Sequence, residues 1–240
     1  MRKFYAVILS LFTLFYWNTT SNAQAVSGYL FVPSSGTYTA LTGTTTSTAV
    51  GDDGLENVSI GFNFTFGGVV YTNAVISTNG AIKLINDGTL NFPGSWTNNL
   101  SNTYGAAIVA PMWDDNNASG GSVVYVLSGS APNRKFSVEW INTHMGGVGS
   151  TSTPTATFQL TLTETSNAIQ FVYGTINPLT QSSIGIGLND LTSFLSVTPG
   201  TPATASSTVA ENNITSAANI PGGTTYTFTP PGPWWPVLRK

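Results

Sequence analysis

Apolar and polar residues alternate along much of the chain with a period of two, which is the pattern of a β-strand with one buried face. From Ile60 to Phe66 an apolar side chain stands at every second position, with Phe64 in the middle. The same alternation recurs in the segments 135–140, 156–163, 169–173 and 184–188. These segments predict amphipathic strands that bury their apolar faces in a common core.

Two short turns that contain glycine separate neighbouring strands of this pattern. Gly67-Gly68 follows Phe66, and Asn79-Gly80 precedes the apolar segment Ala81–Ile85. Glycine adopts the positive φ that two-residue hairpin turns need. Both turns therefore predict antiparallel hairpins.

The remaining segments complete an all-β pattern. Ala106–Trp113 and Val123–Leu127 are apolar without alternation, which predicts strands covered on both faces. The stretch Thr198–Gly223, rich in Ser, Thr, Ala and Pro, predicts a long loop before a last strand at Thr224–Thr229. About a dozen short strands without a helical stripe predict a single antiparallel domain, either a β-sandwich or a jelly-roll-like fold.

The N-terminus has the three parts of a secretory signal peptide. Two basic residues precede an apolar run of 14 residues from Phe4 to Trp17, and small residues follow up to Ala23. The run is shorter than the roughly 20 residues that a membrane-spanning helix needs. We expect cleavage of residues 1–23, a mature chain that starts at Gln24, and secretion to the extracellular space or cell surface without membrane insertion.

The C-terminus follows the last predicted strand with four prolines between positions 230 and 236. Proline cannot donate to a strand ladder and breaks a helix interior. We therefore expect the all-β domain to occupy residues 24–229. Residues 230–240, which include Trp234 and Trp235, are predicted to be a disordered tail or the remnant of a linker.

Charged residues make up only 7% of the chain, and the mature part has five basic residues against ten acidic ones. This balance argues against nucleic acid as a partner, because phosphates are bound by clustered Lys and Arg. It also argues against an anionic membrane surface. The 41% apolar content argues against disorder. An extracellular protein or a glycan surface is the expected partner.

Five short motifs follow one another along the chain: Ile60-Gly61-Phe62-Asn63-Phe64, Gly68-x-x-Tyr71, Ile76-Ser77-Thr78-Asn79-Gly80, Ala107-x-x-Ala110-Pro111-x-Trp113-Asp114-Asp115 and Phe158-Gln159-Leu160. In this order they resemble the nidogen-like (NIDO) extracellular domain found in large secreted bacterial surface proteins. The resemblance covers roughly residues 58–190. It implies an adhesion or matrix role and no enzymatic activity, and it carries over no catalytic residues.

Two functions agree with these observations. The first is a non-catalytic, secreted or cell-surface adhesion or matrix-interaction module. The alternative is a carbohydrate-binding module that captures extracellular glycans, with a tryptophan stacked on a sugar ring. Trp96, in a loop rich in Gly and Asn, is the candidate for that contact, whereas Trp113 and Trp140 lie in apolar strands and are expected in the core.

Two acidic turns concentrate the oxygen ligands that calcium prefers. They contain Asp52 and Asp53 in one turn, and Asp114, Asp115 and Asn117 in the other, where a strand is expected to emerge into solvent. Neither turn has EF-hand spacing. Asp and Asn also bond their own backbone at turns without a metal, so calcium and turn capping both stay open. No other cofactor is predicted.

The residues that could carry catalysis are few. His144 is the only histidine, which excludes a site with several histidines, and we expect it in a solvated, Gly-rich loop. Glycosidase chemistry needs two carboxylates close together. Glu139 and Glu164 are the best candidates, but both are expected on the polar, outward faces of amphipathic strands. The sequence therefore favours a protein that is not an enzyme.

Overall fold

The structure is a computed structural model that describes residues 24–93, 98–102, 104–146, 155–177, 184–210 and 220–232. The predicted signal peptide, Trp96 and the tail from residue 233 onward lie outside the described residues. Signal cleavage, sugar stacking by Trp96 and disorder of the tail therefore stay predictions.

The described residues form one 3-10 turn, Val26–Gly28, and fourteen strands. In chain order the strands are β1 Leu30–Ser35, β2 Thr45–Thr46, β3 Leu55–Phe66, β4 Val69–Ser77, β5 Ala81–Ile85, β6 Ala107–Trp113, β7 Ser122–Ser128, β8 Lys135–His144, β9 Thr155–Thr163, β10 Ile169–Ile176, β11 Gly185–Asp190, β12 Phe194–Thr198, β13 Thr204–Ser206 and β14 Thr224–Thr229.

The strands build two antiparallel sheets of seven strands each. The first sheet has the order β1-β14-β10-β9-β8-β7-β2, and the second has the order β13-β12-β11-β6-β5-β4-β3. The predicted all-β, antiparallel sandwich is confirmed. Among the described residues there is no helix with the length and apolar character of a membrane span.

Both predicted glycine hairpins are present, joining β3 to β4 and β4 to β5. Gly80 has a φ of +76°, and a Cβ at this position would lie 2.0 Å from the carbonyl oxygen of Met112. Only glycine fits such a turn without moving the backbone of β6. The turn between β4 and β5 is therefore held close to the end of β6.

Side chains from both sheets share one core. The alternating residues of β3 face inward, and Phe64 is fully buried as the pattern predicts. Trp140 of β8 stacks on Phe158 of β9 with a ring separation of 5.1 Å, and its indole N–H donates to the carbonyl of Ser77 in the other sheet at 2.9 Å. This bond between the sheets satisfies the one polar atom of a buried indole.

A second apolar cluster lies on the outer face of the second sheet. Trp113 is buried there, and the connection between β5 and β6 covers it with Phe92, Leu100 and Tyr104. The rings of Phe92 and Tyr104 meet Trp113 edge-on at 5.7 and 5.2 Å. The prediction that β6 is covered on both faces is confirmed, and so is the burial of Trp113.

The same prediction is wrong for β7. Val123 and Val124 are buried, but Leu127 is 46% exposed, and it lies beyond the part of β7 that pairs with the two residues of β2 at the sheet edge. The predicted long loop 198–223 is also partly wrong. Its described part contains β13, which pairs with β12 through Ser206 and Ser196 and extends the second sheet by one strand.

Residues 36–44, named here the crossing segment, join β1 at one edge of the first sheet to β2 at the other. The segment contacts β10, β9 and β8 in turn. Tyr38 lies against Gly174, the carbonyl of Thr39 accepts the amide of Gln159 at 2.8 Å, and the N–H of Leu41 donates to Glu139 at 3.0 Å. The segment therefore covers polar side chains on the outer face of this sheet.

Candidate functional site

Several loops meet at one end of the sandwich, named here the loop end. It is the end at which β4 turns into β5, β6 leaves for β7, and β8 reaches His144. The loop after β6 lies against the loop before β3, where the N–H of Ala118 donates to the carbonyl of Gly51 at 2.7 Å. The two acidic turns predicted from the sequence are thereby neighbours, although about sixty residues separate them along the chain.

Four of the five predicted calcium ligands gather there as the acidic cluster, formed by Asp52, Asp53, Asp115 and Asn117. The pKa of Asp52 is raised, first by burial and then by the negative charges of Asp115 and Asp53, while a hydrogen bond from Asn117 opposes the rise. Asp52 and Asp53 are exposed and Asp115 is half-buried. The cluster is thus a solvent-accessible concentration of negative charge.

Asn79 connects the two acidic turns. Its side-chain amide donates to Asp53 Oδ1 at 2.9 Å, and its side-chain oxygen accepts the N–H of Asn116 at 2.8 Å. Its backbone oxygen accepts the N–H of Asp114 at 3.2 Å. The sequence marks Asn79 only as a turn residue, because its partners come from two distant loops.

Asp114 is separate from the acidic cluster. It is 3% exposed, and its Oδ1 accepts the side-chain amide of Asn98 at 3.2 Å and the N–H of Asp115 at 2.9 Å. The expectation that it emerges into solvent is wrong, because the connection between β5 and β6 covers this end of β6. Asp114 is therefore buried and hydrogen-bonded within the fold, and it lies apart from the other four predicted ligands.

Part of the acidic turns shows the backbone capping that is one of the two predicted roles. Asn117 Oδ1 accepts the N–H of Ser119 at 2.8 Å, two residues further on. Within the described ranges, no three His, Cys, Asp or Glu side chains are arranged to hold a metal ion. Calcium at this cluster would need amide, carbonyl or water oxygens beside the carboxylates. It stays a prediction.

His144 is not a solvated loop residue. It is the last residue of β8 and only 7% exposed, and its backbone forms both bonds of an isolated bridge with Asn117, at 2.8 and 2.9 Å. Pairing of Thr143 and His144 with β9 extends β8 into the segment where the Gly-rich sequence predicts a loop. The bridge with Asn117 also ties the second acidic turn to the first sheet.

Glu139 is also buried, contrary to expectation. It does face away from the core, but the crossing segment covers it and leaves 1% exposed. Its carboxylate accepts the Tyr38 hydroxyl, the N–H of Leu41 and, at 3.2 Å, the amide of Gln159. Burial, followed by hydrogen bonding to the carboxylate, raises the pKa of Tyr38. The tyrosine is therefore a neutral donor over the ordinary pH range.

Glu164 lies at the other end of the first sheet. It is about five residues beyond Gln159, the partner of Glu139 in the register, so roughly 15 Å of strand separates the two carboxylates. Arg134 binds Glu164 through two nitrogens at 2.9 and 2.5 Å, and this pairing lowers the pKa of Glu164 to about 2. The two glutamates are not brought together as a catalytic pair.

A cleft opens beside Tyr38 at the loop end. Its volume is about 520 Å³, and it is lined by Gly36, Thr37, Tyr38, Gly174, Thr175, Ile176, Ile220, Pro221, Gly222 and Gly223. No local pattern in the sequence predicts this cleft, because its walls come from three separate segments. Trp96, the aromatic residue predicted to bind sugars, lies outside the described residues.

A family model described as NIDO related matches residues 28–230, which span all fourteen strands. Neither a comparison with curated proteins nor a comparison with solved structures produced a match.

Proposed function

The chain belongs to the NIDO-related family of extracellular-type domains, and we propose that it acts as a non-catalytic adhesion or matrix-interaction module whose contact surface is the loop end. The observation that supports this proposal is the acidic cluster. Two turns that are distant in sequence are held together there, and their carboxylates remain accessible to a partner.

Within the described part of the chain, no Lys or Arg side chain is found beside the acidic cluster. Lys83, Arg134 and Lys135 are the basic residues of the described part of the chain. Arg134 pairs with Glu164 at the opposite end, Lys135 begins β8 at that same end, and Lys83 binds Asn91 on the second sheet. The loop end thus presents negative charge to a basic or cation-bearing partner, and such complementarity gives specificity and a faster association rate.

The buried acids support a non-catalytic role, because their partners are structural. Glu139 holds the crossing segment against the first sheet. Asp190 accepts N–H bonds from Val26 at 2.8 Å and from Ser193 at 2.7 Å, which fixes the N-terminal 3-10 turn. Burial alone would raise the pKa of Asp190, but these bonds outweigh burial and lower it. Asp190 therefore stays an ionised acceptor within the fold.

Secretion is part of the proposal. Its support is the three-part N-terminal sequence together with the extracellular-type family. N-terminal sequencing of the exported protein should begin at Gln24. Exported material that still begins with Met1 would contradict the proposed cleavage.

The adhesion proposal can be tested with beads that carry the mature chain, residues 24–240. The beads settle on cells that lack this protein and on films of collagen or fibronectin, and their retention is measured under flow. We expect retention on at least one surface and a several-fold loss for the combined D52N, D53N and D115N variant. D87N removes an exposed aspartate outside the loop end and is the matched control.

Two results would count against the proposal. The adhesion role would be contradicted if the beads were retained on none of these surfaces. If beads that carry the triple variant adhered as well as beads that carry the parent chain, the acidic cluster would not be part of the contact surface.

A further inference from the structure

The cleft beside Tyr38 has properties that the adhesion proposal does not use. It lies at the loop end, but it is formed by the start of the crossing segment, the end of β10 and the residues before β14. It shares no residue with the acidic cluster. Its chemistry can therefore be considered separately.

The floor of the cleft is backbone. A Cβ at Gly223 would lie 2.0 Å from the carbonyl oxygen of Gly36, and one at Gly222 would lie 3.3 Å from that of Gly174. A Cβ at Gly174 would lie 3.2 Å from the ring of Tyr38. The approach of Gly223 to Gly36 requires glycine, the approaches at Gly222 and Gly174 favour it, and a ligand would meet peptide groups of these glycines at the floor.

Tyr38 forms a wall of fixed orientation. Its ring packs on Gly174, and its hydroxyl donates to Glu139. The carboxylate is in turn held by Leu41 and Gln159. A ring held at both its face and its hydroxyl loses little conformational freedom when a ligand binds, which lowers the cost of binding.

The lining combines hydroxyl, peptide and apolar groups without a charged side chain. Thr37 and Thr175 are exposed and offer hydroxyls, while Ile176 and Pro221 offer apolar surface. A charged ligand would find no counter-charge in this lining. A purely apolar ligand would leave the hydroxyl and peptide groups without hydrogen-bond partners.

We propose that this cleft binds a neutral sugar unit of an extracellular glycan, with the ring of Tyr38 beside the sugar and the two threonine hydroxyls as hydrogen-bond partners. A pyranose has apolar C–H faces for an aromatic ring and hydroxyls for peptide and threonine groups. The volume of about 520 Å³ lies within the range of roughly 300–1,000 Å³ typical of small-ligand sites. The proposal goes beyond the acidic cluster and does not depend on it.

The test is calorimetric titration of the mature chain with a panel of uncharged hexasaccharides, made of glucose, mannose, galactose or N-acetylglucosamine. We expect saturable binding of at least one of them. T37V combined with T175V removes the hydroxyls at nearly constant volume and should weaken binding at least fivefold. Thr229 lies at the far end of β14 and is exposed, so T229V is the matched control and should bind as the parent does.

Y38A should reduce binding at least tenfold, but it also removes a partner of Glu139 and can destabilise the fold. T175W therefore provides a second variant, since it places a bulky group on an exposed position of the lining. Binding by the triple Asp variant should be unchanged, which separates failure of this cleft from failure of the adhesion surface. The proposal is wrong if the parent binds no hexasaccharide at millimolar concentration, or if folded Y38A and T175W bind like the parent.

Discussion

Asn79 donates its side-chain amide to Asp53 at 2.9 Å, and through its side-chain oxygen it accepts the N–H of Asn116 at 2.8 Å. One buried amide thus joins the loop before β3 to the loop after β6. The position of Asn79 is itself fixed, because Gly80 places the turn against the carbonyl of Met112. Both acidic turns of the loop end are therefore tied to the turn that carries Asn79.

Replacing Asn79 with alanine should destabilise the protein by about 1–2 kcal/mol, since one buried and one partly buried hydrogen bond are lost at roughly 1 kcal/mol each. Urea unfolding measures the change. N86A is the control, because the side chain of Asn86 also bonds two neighbours, Val70 and Thr72, but is exposed to water. The control should lose much less. Equal losses would show that burial of the Asn79 bridge contributes nothing.

Calcium binding is expected to involve Asp52, Asp53, Asp115 and Asn117 and to leave Asp114 aside. A ligand that binds only the native state stabilises it by mass action, so millimolar calcium should raise the melting temperature. D52N combined with D115N should abolish the rise, and D87N should retain it. An unchanged melting temperature of the parent would leave turn capping as the role of these residues.

The single D52N variant distinguishes binding from simple charge repulsion. Burial and then the nearby negative charges of Asp115 and Asp53 raise the pKa of Asp52, so its ionised form is disfavoured in the folded state. Without calcium, D52N should therefore melt at the same temperature as the parent or slightly higher. A lower melting temperature would mean that the Asp52 carboxylate makes a stabilising contact instead.

The strands and the main core could be predicted because their signals are local. Alternation from Ile60 to Phe66 and the glycine turns depend on neighbouring residues, and the buried face and both hairpins follow from them. The apolar character of β6 likewise predicted cover on both faces. The same prediction for β7 was wrong, because a sheet edge is a property of topology and not of one segment.

The burial of polar side chains could not be predicted, because it depends on distant segments. Tyr38 covers Glu139 from 101 residues away. His144 is buried where its backbone bridges to Asn117 in the loop after β6, and the connection that carries Asn98 covers Asp114. Composition alone marks the acidic turns as candidates. The contact between the two acidic turns, and the cleft beside Tyr38, could be recognised only once the order of strands in both sheets was known.

F64A should destabilise the domain by about 3–5 kcal/mol, which is the usual cost of removing a buried phenylalanine. Phe64 is fully buried in the middle of β3, and a cavity would remain between the sheets. V70A in the neighbouring strand is the control, since Val70 is 46% exposed and should cost less than about 1 kcal/mol. A melt of F64A like that of V70A would place the buried face of β3 on the wrong side.

Acid should weaken the fold through the pair of Arg134 and Glu164. The pKa of Glu164 falls from 4.5 to about 2 on folding, because Arg134 donates to its carboxylate. The folded state thus binds this proton less tightly than the unfolded state does. The stabilisation is complete above pH 4.5 and is lost as the pH falls from 4.5 to about 2.

E164Q removes this titration while it keeps the size of the side chain. Urea midpoints measured from about pH 6 to pH 2 should show the parent more stable than E164Q at the upper end, with the difference shrinking below pH 4.5. Salt at about 0.5 M should reduce the difference near pH 6, because the pair is partly exposed and screened. Arg134 also donates to the carbonyl of Gly61 at 2.6 Å, so a change at Glu164 isolates the ion pair more cleanly than one at Arg134. A difference that stays constant over the whole range would show that the Glu164 carboxylate titrates equally in the folded and unfolded chain.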